Sequence, residues 1–242
     1  MTPTPRKSSS VAADTAPQLL RIQVGERAGV VSALLQRPER PRWVLVFAHG
    51  AGAGMKHAFM QAQADRLATR GIATLRYQFP YMENKSGRPD PQPVLLATVR
   101  AACACAAEQV PGVPLLAGGK SMGGRMTSNA AADEPLRGVR GLVFFGFPLH
   151  PTGKPDVIRA EHLTEVPIPM LFLQGTRDSL ADLELLTPIC DRLGARAALH
   201  VIDGADHSFH VLKRTGRTDA DVLDELADTV VAWAERLALA SH

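Results

Sequence analysis

The chain has few cysteines, no long apolar run and almost no surplus of charge. Its three cysteines, Cys103, Cys105 and Cys190, are an odd set without framework spacing, which excludes a disulfide scaffold and suits reduced thiols in a cytoplasmic protein. Cys103 and Cys105 stand two apart in an alanine-rich helical stretch, about 200° apart around the axis, so they cannot share a metal on one face. No metal site and no cofactor are expected. No stretch reaches the ~18 apolar residues of a membrane span. The opening MTPTPRKSSSVAADTAP has no apolar core of the kind a secretory signal needs. Residues 1–17 are therefore expected to be a disordered tail, ahead of one domain over 18–242. Lys and Arg number 27 against 24 Asp and Glu, a net charge of +3, and they are scattered. That excludes a nucleic-acid stripe and a polybasic membrane patch. A small-molecule partner is expected, and the oligomeric state stays open. A chain of 242 residues can bury its own core without disulfide or metal.

Extended apolar runs alternate with helical stretches. Leu19–Val24 and Val30–Leu35 are predicted to pair as an antiparallel hairpin across Gly25–Gly29. Trp43–Ala48 (WVLVFA) is apolar throughout, as a strand buried on both faces should be. Further strands are expected at Ile72–Tyr77, Val113–Ala117, Val139–Phe145, Met170–Leu173 and Ala197–Ile202, and helices at Phe59–Arg70, Val94–Val110, Met122–Ala132 and Asp219–Leu239. This alternation predicts an α/β fold with a mostly parallel sheet and helices on both faces. Ligands of such sheets sit beyond the carboxyl ends of the strands. The residues just after each strand therefore matter most.

After Val113–Ala117 the chain reads GGKSMGG. Gly119, Ser121 and Gly123 match G-x-S-x-G between a strand and a helix, the context that motif requires. Ser121 would sit on a sharp, strained turn whose neighbours must lack Cβ atoms, with its hydroxyl lifted above the sheet. A phosphate-binding P-loop would need a glycine where Pro114 stands. After Met170–Leu173 comes QGTRD, ending in Asp178, and after Ala197–Ile202 comes DGADHSF, containing His207. Serine needs a base to take its proton, and the base needs a carboxylate to hold its tautomer. Ser121, His207 and Asp178 thus form a candidate nucleophile–base–carboxylate set, in the chain order Ser, Asp, His. Asp182 and His210 are the alternatives, Asp182 being expected inside the next helix and His210 deeper in its loop. Asp203 and Asp206 are expected to cap or solvate their loop. Lys120 is expected on the surface of the turn. After Trp43–Ala48 the glycine-rich HGAGAG offers the N–H of Ala51 or Gly52, with that of Met122, as oxyanion donors. A dinucleotide loop would need glycine where Met55 stands. His49 is expected to fix that loop. For His57 two readings stand, facing the pocket or facing the solvent. Tyr81, Phe147 and Met122 are candidate walls of a substrate pocket, or packing residues.

Together HGAGAGM, RYQFPY, GGKSMGGRM, GFPLHPTGKPD, RAEHL, LQGTRD and GADHSF resemble a family of compact α/β-hydrolases related to dienelactone hydrolase, from about Val44 to the C-terminal helix. The resemblance implies the α/β-hydrolase fold, with Ser121, Asp178 and His207 at the triad positions. Dienelactone hydrolase itself uses a cysteine nucleophile, so its substrate class does not carry over to Ser121. Gly146–Pro167, where this fold often carries a cap domain, is too short for a substantial lid. The expectation is a serine hydrolase of the carboxylesterase kind, cleaving small or polar acyl esters or thioesters. A peptidase or amidase, and a non-catalytic binding protein on the same fold, are the alternatives. Some similar animal proteins are subunits of a chromatin complex, so the fold alone does not decide.

Overall fold

The structure, a computed structural model, describes residues 16–26 and 28–239. The expected tail falls almost wholly outside the described residues. Eight strands form one sheet: β1 Gln18–Gly25, β2 Gly29–Gln36, β3 Trp43–Ala48, β4 Ile72–Tyr77, β5 Leu115–Lys120, β6 Val139–Phe145, β7 Met170–Gly175 and β8 Ala197–Ile202. Their order is β1-β2-β4-β3-β5-β6-β7-β8. The β1–β2 hairpin pairs antiparallel, and β2 joins β4 antiparallel. All pairings from β4 to β8 are parallel.

Helices cover both faces, and the side-chain alternation of each strand assigns residues to them. In β3, Val44, Val46 and Ala48 face the cluster packed by α3 (Gln92–Gln109), α4 (Met122–Asp133) and α5 (Leu183–Leu193). Trp43, Leu45 and Phe47 face the opposite cluster, closed by α1 (Ala58–Thr69) and α6 (Asp219–Leu239) with Met60, Leu67, Val222, Leu226 and Trp233. A continuous apolar run is what a strand buried on both sides requires, and all six residues of β3 are buried. A four-residue helix, α2 (Pro80–Glu83), follows β4.

Two departures from the expected element bounds bear on the site. Strand β5 runs on to Lys120 rather than ending at Ala117. Gly118 and Gly119 stay in register with Val143 and Phe144 of β6, because without side chains they fit where neighbouring backbone approaches closely. The turn therefore begins at Ser121 itself. Asp182 is not inside α5 but caps it, its Oδ1 accepting from Glu184 N–H at 2.9 Å. Between β6 and β7, Ile158–Glu165 forms 3-10 turns that pack on α4.

Candidate active site

Ser121 is the residue between β5 and α4, and its backbone lies at φ 51°, ψ −118°. A non-glycine residue in that region is strained and persists only where its surroundings over-determine it. Here the Ser121 N–H donates to Phe145 O at 3.1 Å and its carbonyl accepts from Arg125 N–H at 3.2 Å, so both ends of the turn are pinned. Gly123 makes the turn possible. A Cβ there would lie 2.6 Å from both the Ala48 and His49 carbonyl oxygens. Met122 occupies the first helical position of α4, where an N–H has no acceptor within its own helix.

Asp178 follows β7 with its side chain 1 % exposed. Oδ2 accepts from His207 Nδ1 at 2.7 Å and from Gln174 Nε2 at 2.5 Å, while Oδ1 accepts from Leu180 N–H at 2.8 Å. With Nδ1 donating to a carboxylate, the imidazole keeps its Nε2 lone pair for a proton. The loop carrying His207 is held tightly. Asp206 Oδ1 accepts from Ser208 N–H and His210 N–H, so Asp206 caps its loop as expected. Phe209 takes a left-handed φ of 65°.

Lys120 departs most from expectation. Instead of lying on the surface it runs inward, and its Nζ donates to the His207 carbonyl at 2.5 Å. The ammonium lies 5.9 Å from the centre of the Phe59 ring and 5.3 Å from that of Phe209, rings that stack on each other at 5.7 Å. Burial pushes its pKa down to about 8, against the attraction of Asp178 and Asp206. No pattern in the sequence places an ammonium against a stacked pair of rings, because the three residues come from β5, α1 and the loop after β8.

Ser121 and His207 line one cavity of about 370 Å³, together with Gly50, Ala51, Ala53, His57, Phe59, Met60, Lys120, Leu180 and Ser208. Its walls are mostly apolar. No residue of Gly146–Pro167 lines it, in keeping with the absence of a cap. None of the three candidate wall residues, Tyr81, Phe147 and Met122, is among those lining it. The Tyr81 ring is buried against His49 and Phe79, and its hydroxyl accepts from Gly52 N–H at 3.1 Å. That bond occupies the Gly52 N–H and leaves Ala51 as the better placed candidate donor on this loop. Phe147 is fully buried against Phe144 and Phe172. Its N–H donates to Gln174 Oε1 at 3.0 Å, so it reaches Asp178 through Gln174. The wall residues Phe59, Met60, Leu180 and Ser208 carried no sequence signal.

His49 fixes the glycine-rich loop, as expected. It is fully buried, its Nε2 accepts from Phe79 N–H at 3.1 Å and its Nδ1 lies 2.7 Å from Gly50 O. Burial lowers its pKa to about 4. His57 both caps α1, accepting from Phe59 N–H at 3.2 Å, and lines the cavity. His210 is paired with Asp219 at 2.9 Å, away from the cavity. Among the described residues no group of three or more metal-ligating side chains is gathered, and no helix is long and apolar enough to cross a membrane.

A strand–turn–helix with a left-handed serine shares one cavity with a histidine held by a carboxylate from the preceding loop, at the carboxyl edge of a β3–β8 parallel sheet. Residues 41–235 match the family description "Alpha/beta hydrolase domain". The chain belongs to the alpha/beta hydrolase family. A lidless a/b serine hydrolase from Xanthomonas campestris superposes with a TM-score of 0.71 at 21% identity, over 90% of this chain and 95% of that one. Dienelactone hydrolase from Anabaena variabilis gives a TM-score of 0.71 at 21% identity, over 91% and 98%. At this identity the two structures establish the fold. A Mycobacterium tuberculosis protein named "Putative phosphoribosyl transferase" is 29% identical over 207 residues, 84% of this chain and 43% of its own. The chain thus spans less than half the length of the curated relatives it matches.

Proposed function

We propose that this family member is a serine hydrolase that cleaves small carboxylic esters or thioesters through an acyl-enzyme. His207 Nε2 takes the Ser121 hydroxyl proton as Oγ attacks the carbonyl carbon. Asp178 holds the imidazole, and the N–H groups of Met122 and Ala51 face the developing oxyanion. The carbon–oxygen or carbon–sulfur bond of the leaving group then breaks, and the leaving group takes the proton from His207. Water enters, gives its proton to His207, and its oxygen displaces Ser121, which recovers that proton. The observation that carries this reading is the 2.7 Å His207–Asp178 contact at a cavity shared with a left-handed Ser121. An open, water-accessible cavity supports small or polar acyl groups. The domain, 18–242 in this reading, works in the cytoplasm without a cofactor. The name of the mycobacterial relatives belongs to longer chains and does not alter this proposal.

Ser121→Ala tests it. The variant should stay folded, lose p-nitrophenyl acetate turnover by at least about a thousandfold and no longer take a fluorophosphonate label. Undiminished labelling of Ser121→Ala would refute the assignment.

A further inference from the structure

Two motif arginines, Arg125 of GGKSMGGRM and Arg159 of RAEHL, have no part in the reaction above. Arg125 stands one helical turn after Ser121. Ser121, Arg125 and Asn129 form the half-buried stripe of α4, between fully buried neighbours. The 3-10 segment Ile158–Glu165 packs on α4 and brings Arg159 and His162 to it. His162 Nε2 lies 2.8 Å from Ser128 Oγ, and burial and the Arg125 charge hold its pKa down at about 4, so it is neutral at ordinary pH. The charge of Arg159 acts on Arg125, and no acid offsets it.

Among the described residues, neither guanidinium has a hydrogen-bond acceptor or an acidic partner, and the buried Arg125 Nε is unsatisfied. Every other arginine that is at least half-buried has an acceptor. Arg70 has Asp228, Arg76 has Gln61, Arg100 has Asp133, and Arg196 has the Val166 carbonyl. Arg66 bonds the Ala62 carbonyl, and Arg217 bonds Glu225. Arg125 loses hydration by burial and feels the like charge of Arg159 with no counter-charge beside it. A planar oxyanion between them would relieve both, since each guanidinium can offer a two-pronged donor fork.

We propose that Arg125 and Arg159 form an anion-binding subsite that holds a carboxylate or phosphate group on the substrate whose carbonyl Ser121 attacks. This rests on the serine-hydrolase reading, and it narrows the substrate class to acyl esters carrying a negative charge away from the scissile bond. Arg125 lies on the helix that starts at the nucleophile and Arg159 on the segment packed against that helix, so the pair fixes which end of a bifunctional substrate reaches Ser121.

The test compares p-nitrophenyl hydrogen succinate with p-nitrophenyl butyrate, in wild type and Arg159→Gln. Wild type should prefer the anionic ester by tenfold or more in kcat/KM. Arg159→Gln should lose that preference while its butyrate rate stays within twofold. Arg125→Gln serves as a second variant and should lose the same preference. Inorganic phosphate and succinate, each at constant ionic strength, should raise the melting temperature of wild type and leave Arg159→Gln unmoved. The larger of those two shifts tells phosphate from carboxylate. Equal rates on both esters in wild type, or an equal loss of both in Arg159→Gln, would overturn the subsite. Wild type that takes no fluorophosphonate label would instead sink the hydrolase reading. In that case a melting shift absent with both anions would overturn the subsite, and one abolished by Arg159→Gln would support it as an anion site.

Discussion

Gly123→Ala is the sharpest probe of the turn that carries the nucleophile. A methyl group there would meet two backbone carbonyl oxygens, Ala48 O and His49 O, at 2.6 Å, and Ala48 C at 2.7 Å. That falls short of ordinary contact by about 0.8 Å, and backbone cannot rotate aside as a side chain can. Alanine gains about 1 kcal/mol over glycine in helix propensity, but overpacking of this kind costs roughly 1–3 kcal/mol. The strain should win or break even, lowering the melting temperature by up to several degrees, at roughly 2–4 °C per kcal/mol for a chain of this size. The larger effect should be on rate. Gly123 spaces α4 from the end of β3, so relief of the clash moves Met122 N–H away from Ala51 N–H. A shift approaching 1 Å between such groups costs on the order of a hundredfold. The assay is p-nitrophenyl acetate turnover with a thermal melt on the same sample. Gly87→Ala is the control, since a Cβ at Gly87 meets nothing within 4 Å. A Gly123→Ala enzyme with kcat within threefold of wild type would refute the account of the turn.

Two other perturbations follow from the same geometry. Lys120→Met removes a buried charge-assisted bond to the His207 carbonyl, worth roughly 1.5–3 kcal/mol. It should lower kcat about tenfold to a hundredfold with KM little changed, and a KM effect alone would show that Lys120 meets substrate instead. His49 is neutral in the fold down to about pH 4, whereas the unfolded chain takes its proton near 6.5. The unfolded state therefore binds more protons between these values, and stability is lost as pH falls through that window. The ceiling is about 3–4 kcal/mol at roughly 1.4 kcal/mol per unit. Urea melts of wild type and His49→Gln at pH 7 and 4.5 should show the smaller pH effect in the variant, and equal slopes would contradict it.

The architecture was legible because local signals agreed with the global arrangement. The six buried residues of β3 announced a two-sided strand, and the loops after β5, β7 and β8 each carried one chemistry-bearing side chain. What stayed hidden depended on residues from separate elements meeting. Lys120 reads as a surface lysine until Phe59 and Phe209 close over it. Tyr81 looks like a pocket wall until its hydroxyl is seen to take the Gly52 N–H. Phe147 lies behind the site, where its backbone supports Gln174 rather than a substrate. The end of β5 was misjudged for another reason. A Gly-Gly pair reads as a turn from propensity alone, but here it is strand, because close backbone neighbours on both sides exclude any side chain.

The way the site is supported also bears on what reaction it favours. Each of the three side chains proposed to act sits on backbone that is tied down. The Ser121 N–H is tied to β6, the Asp178 loop is tied to the β8 loop through Arg177 N–H and Ala205 O, and the His207 carbonyl is held by Lys120. Such rigidity stabilises charge in the transition state without reorganisation. By contrast nothing from Gly146–Pro167 reaches over the cavity. An acyl-enzyme formed there would stand open to water, so hydrolysis would outrun transfer to a larger acceptor unless that acceptor were itself bound. Selection among substrates would then come from the walls and from charges beside α4, since among the described residues no part of Gly146–Pro167 lines the cavity to sort them.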